Sequence, residues 1–194
     1  MPTNKIAEAN KQFSSTIGKA LDTLTLEHWK VLNHPVHGET IRLYALPGLT
    51  LKNTDGEKTL ILSAFIITQI IDSPDKNKKR LNSREYIYQL SSTPEGKPLY
   101  EFHWHPEQID RTTLEPKKLE PGENLPFPFP HIHVRITDKS FDNLNKKHIP
   151  SGRVAFEDVL LFLFTDCAIK PNKENWSNIL QETRESFREA MSWR

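Results

Sequence analysis

The sequence predicts an α+β domain: an antiparallel sheet of about five strands, with one helix before it and two after it. Two patterns carry that expectation. Apolar residues recur every three to four positions near both ends of the chain, as on a half-buried helix. The middle changes to strand period, punctuated by Pro47-Gly48, Asp55-Gly56 and Pro94-Glu95-Gly96. Strands gathered between terminal helices are the α+β arrangement. At 194 residues the chain suits a single domain spanning 1–194 and can bury a substantial core.

In chain order, Ile6, Phe13, Ile17, Leu21 and Leu24 predict a helix over 3–32, and Asn33-His34-Pro35 ends an N-terminal helical segment of 1–34. Residues 40–46 form the first expected strand, closed by Pro47-Gly48 and extended by 49–52. Residues 59–71 are β-branched and almost wholly apolar, which predicts a central strand covered on both faces. Residues 84–91 and 99–105 read as a hairpin around Pro94-Glu95-Gly96. Five prolines between 116 and 130 forbid both helix and regular ladder, so 107–130 is expected as an extended surface loop. It delivers 131–136 as a fifth strand at or near the sheet edge. Residues 156–167 predict a short buried helix. A last helix over 174–191 places Trp176, Ile179, Leu180, Thr183, Phe187 and Met191 on one stripe.

Composition narrows the function classes. The formal net charge is +1, so no global field draws the protein to nucleic acid or to a membrane surface. The longest apolar run, 159–164, is far short of the roughly 20 residues that cross a bilayer. Cys167 is the single cysteine, which excludes an internal disulfide and a Cys-x-x-Cys metal site. With no basic-then-apolar leader, the expected location is cytoplasmic. Cys167 reads as a buried small hydrophobe, Ser151 as a turn residue, and His28, His34 and His37 as structural or exposed.

The chemistry of the chain is concentrated in two segments with histidine at every second position, Glu101-Phe102-His103-Trp104-His105 and His131-Ile132-His133-Val134-Arg135. Residues i and i+2 of a strand share a face, about 6.5 Å apart. Glu101, His103 and His105 therefore point one way from the first strand, and His131, His133 and Arg135 one way from the second. If the strands are neighbours, these groups gather on one sheet face, with His148 close behind.

Three readings of that face follow. In the first, His103, His105, His131, His133 and Glu101 supply the nitrogen and oxygen donors that zinc or non-haem iron prefers. The spacing matches no dedicated pattern such as His-Glu-x-x-His. In the second, His103, His105, His131, His133 and His148 provide metal-free acid and base catalysis on a phosphodiester, with no cofactor. Arg135 is then the catalytic cation, and Arg153, Lys146 and Lys147 bind substrate. In the third, the imidazoles hydrogen-bond to the proline-rich loop or to Glu107, Asp110 and Glu115.

Phe102-His103-Trp104-His105-Pro106 followed by Pro130-His131-Ile132-His133-Val134 resembles the TumE-type toxins of bacterial toxin–antitoxin pairs over residues 100–164. The resemblance implies a growth-inhibiting protein with a cognate antitoxin; joined to the acid–base reading it gives a metal-independent ribonuclease with RNA as substrate, and the composition gives no membrane partner. The order of helix, meander, Pro-His strand and His148-Ile149-Pro150-Ser151-Gly152 is also similar to E2-type ubiquitin-conjugating domains. Val154 stands where their nucleophilic cysteine would be, which implies a non-catalytic interaction domain.

Overall fold

The computed structural model describes residues 2–24, 32–37, 41–52, 56, 59–73, 79–104, 129–135 and 147–190. Helix α1 (Pro2–Leu21) is followed by strands β1 (Leu32–His37), β2 (Ile41–Lys52), β3 (Thr59–Asp72), β4 (Lys79–Ser91), β5 (Tyr100–Trp104), β6 (His131–Val134) and β7 (Ile149–Pro150). Helices α2 (Phe156–Thr165) and α3 (Trp176–Ala190) complete the order. The seven strands form one antiparallel sheet in sequence order, β1 to β7. Among the described residues, no helix is long and apolar enough to cross a membrane.

The α+β class and the terminal helices match the sequence pattern, and the described residues hold seven strands where about five were expected. Both additional strands are edges, and both contain a proline. Pro35 lies in β1 beside a register irregularity, and Pro150 lies in the two-residue β7. Proline removes a ladder donor but is tolerated where the N–H side has no neighbour, so a signal that reads as a helix stop is here an edge strand. Helix α1 accordingly ends at Leu21, well before the expected residue 32. Pro47-Gly48 does not reverse the chain either. Gly48 adopts φ +60° at a register shift between Leu46 and Leu49, and β2 continues through it as one bulged strand.

One face of the sheet is the core. Tyr44, Leu62, Ile66, Tyr86, Tyr88, Leu90, Phe102 and Trp104 are buried there with Phe13, Phe156, Leu160, Leu163 and Phe187 from the helices. Aromatic contacts join the layers: Phe13 meets Tyr44 at 4.6 Å and Phe187 at 5.6 Å between ring centroids, and Tyr88 meets Phe156 at 5.7 Å. Phe162 of α2 packs edge-on against Tyr100 and Phe102 of β5. The segment entering α2 is pinned from two sides. The Val154 N–H donates to the Tyr86 hydroxyl at 2.9 Å, and the Ala155 N–H donates to Asp158 Oδ2 at 2.9 Å. Asp158 Oδ1 also pairs with Arg184 of α3 at 2.7 Å, tying the two helices together.

Glu157 is a buried carboxylate in the first turn of α2, 2% exposed. Burial raises its pKa from 4.5 to about 7, with partial relief from the Thr183 hydroxyl and the Arg184 cation. The folded state thus holds this proton more tightly than the unfolded chain, so its contribution to stability falls as pH rises from about 4.5 through 7. Glu157→Gln is expected to flatten that slope and to stabilise the protein at pH 8, by about 3 kcal/mol at most. Urea denaturation of both proteins at pH 5 and pH 8 checks this; an unchanged difference between the two pH values would count against it.

Candidate functional site

Strands β5 and β6 are hydrogen-bonded neighbours, and their register sets the histidines face to face. His103 lies opposite His131, and Glu101 lies opposite His133. The β6–β7 register pairs His131 with Pro150 and Ile132 with Ile149, and His148, just before β7, brings its ring against His133. Alternation sends Phe102 and Trp104 into the core beneath α2, so the histidines occupy the face away from the helices.

Four imidazoles form one contiguous cluster there. Ring centroids lie 3.9 Å apart for His103–His131, 4.7 Å for His103–His133 and 5.1 Å for His131–His133. His148 is 4.6 Å from both His131 and His133. His103 is 7% exposed and His131 is fully buried, whereas His148 is exposed. One nitrogen each from His103, His131 and His133 fall within 4.8 Å of one another.

The tautomer of His131 follows from a single contact. Its Nδ1 lies 2.7 Å from the Phe129 carbonyl oxygen, which can only accept. Nδ1 therefore donates, and in the neutral ring Nε2 keeps the lone pair. Glu101 is held by the side-chain amide of Gln89, which donates to its Oε2. Its other oxygen stands 3.6 Å from His103 Nε2, beyond ordinary hydrogen-bond length.

Of the sequence-derived site residues, the structure thus brings together His103, His131, His133, His148 and Glu101. Arg135 is exposed just past β6, its N–H donating to the Leu99 carbonyl at 2.8 Å. Arg153 goes elsewhere. Its guanidinium sits 4.1 Å over the Trp104 ring, on the aromatic side of the sheet opposite the imidazoles. That is a packing role: the flat cation covers an indole that a polar side chain would leave wet. Lys147 is exposed beside His148, and His105, Lys146, Glu107, Asp110 and Glu115 lie outside the described residues. Burial pushes the half-buried Cys167 thiol up, away from use as a nucleophile.

Gln89 was not legible as a site residue. Its place follows only from the β4–β5 register, which sets it opposite Glu101. The signal was the alternation of Ile87 and Gln89 against Tyr86 and Tyr88, which already assigns it to the face away from the core. No protein-family model, curated protein or solved structure matches the chain.

Proposed function

We propose that the protein is a metal-dependent enzyme whose ion, zinc or non-haem iron, is held by His103, His131 and His133. The observation behind this reading is the convergence of three imidazole nitrogens within 4.8 Å from adjacent strands. The donor chemistry fits. Metal-bound histidines characteristically donate their other ring N–H to a carbonyl or carboxylate, as His131 does to Phe129. A tetrahedral ion with bonds near 2.0–2.1 Å needs donors about 3.3 Å apart, a spacing inside the 4.8 Å that bounds the three nitrogens. Glu101 and His148 flank the three without joining the donor set. Three protein nitrogens are the pattern of catalytic sites, which keep one position for water or substrate. An ion there would supply Lewis acidity toward a substrate oxygen or a water. The chain itself contributes the fixed donors, the negative charge of Glu101 and a core beneath β5 and β6 that holds their register.

The test is elemental analysis of full-length protein purified without an affinity tag. The expected result is about one zinc or iron per chain. Protein that remains metal-free after equilibration with micromolar zinc and, anaerobically, iron(II) would sink the reading.

A second reading draws on the exposure of His148 against the burial of His131, 4.6 Å away. A ring in solvent beside a ring in the interior offers two imidazoles in unlike surroundings for proton transfer without metal. With the toxin resemblance, that version takes RNA as substrate and an antitoxin protein as partner. It predicts that growth arrest on expression survives in chelator-stripped form as ribonuclease activity in vitro. Activity restored only by added metal would exclude it.

A further inference from the structure

The cross-strand rows that end in the histidines continue the other way across the sheet. One row runs Ser63, Gln89, Glu101, His133, each residue directly opposite the next. Its neighbour runs Phe65, Ile87, His103, His131. Strands lie about 4.8 Å apart, so each row extends about 10 Å from β3 to β5 before it meets the imidazoles. Along these rows lies a groove of about 420 Å³ lined by Ser63, Phe65, Ile87, Gln89, Glu101 and His103.

We propose that this groove is the substrate cleft of the metal centre, and that it takes a small, uncharged or cationic molecule with a flat apolar body and a hydrogen-bond-donating edge. The inference rests on the metal-centre reading above. Size is the first argument, since the volume falls within the range of clefts that hold small organic ligands. Chemistry is the second. Phe65 and Ile87 give one row an apolar surface leading to His103, where a ring can lie against them. The other row presents acceptors: the Ser63 hydroxyl, the Gln89 side-chain carbonyl and the Glu101 carboxylate. One of the two Gln89 amide N–H groups is committed to Glu101, so acceptor sites outnumber free donors along that row and it suits a ligand edge that donates. The Glu101 charge favours a neutral or cationic ligand over an anionic one. Continuity with His103 is the third, because a molecule lying along the rows has its end at the metal donors.

Hydroxamic acids test this without knowledge of the natural substrate, because they chelate zinc through two oxygens and differ in what they trail behind. Calorimetry on zinc-loaded full-length protein is expected to show benzohydroxamic acid binding at least about tenfold more tightly than acetohydroxamic acid. The 4-carboxy derivative should bind more weakly than its parent. Phe65→Ala and, separately, Ile87→Ala should bring the two parent affinities within about twofold while leaving acetohydroxamic acid unchanged. Equal binding of the two by the wild type overturns the cleft while leaving the metal centre standing, and it needs no variant to fold. Tighter binding of the 4-carboxy derivative overturns the substrate class. Protein that takes up no zinc overturns the metal centre and the cleft together.

Discussion

If the three imidazoles hold an ion as proposed, His131→Ala is expected to lower metal content from about one ion per chain to below about one tenth. His131 is fully buried and in ring contact with His103, His133 and His148. Loss of a residue that merely orients a ligand costs 10–100-fold in metal affinity, so loss of a ligand should cost at least about 100-fold. The effect also appears as stability. An ion present at about 100 times its dissociation constant stabilises the folded state by about 2.7 kcal/mol. Wild-type protein should therefore show a rise in melting temperature on adding zinc, and the variant should show almost none. His133→Ala serves as the companion, because it removes a donor that is only partly buried and disturbs the interior less. If both variants keep their metal, the ion is bound elsewhere.

The largest effect on folding is expected at Phe13→Ala. The Phe13 ring is fully buried and touches Tyr44 of β2 and Phe187 of α3, so one side chain joins three elements. Truncating a buried phenylalanine costs about 3–5 kcal/mol, a large share of the roughly 5–15 kcal/mol that holds a typical domain. Urea denaturation should show a lower midpoint with an unchanged slope. A loss below about 1 kcal/mol would mean that α1 is not packed as described. Phe13 lies on the core side and the imidazoles on the other, so the folded fraction of this variant should bind metal like the wild type.

How much was legible in the sequence differs between the core and the site. Period alone gave the helix α1, the long strands β2 to β4, the β4–β5 hairpin and both C-terminal helices, because burial repeats every two or every 3.6 residues whatever the partners. Proline was harder to read. It marks a helix stop, a turn or an edge strand with the same residue, and the choice depends on whether a neighbour needs its missing N–H. That is why β1 and β7 were missed. The reach of Arg153 was likewise undetermined, since a long flexible cation goes to whichever surface the fold presents, here Trp104.

The histidine face itself divides along the same line. Alternation within each strand was enough to set Glu101 and His103 on one face, His131 and His133 on one face, and the aromatic and aliphatic residues on the other. This is local stereochemistry, fixed by the pleat. Only the tertiary structure decided that the two faces are the same face. Pairing of β5 with β6 sets His103 against His131, the short β7 brings in His148, and β4 brings Gln89 to Glu101. Those contacts span separations that no short-range pattern encodes, and they are fixed by the shared core beneath them.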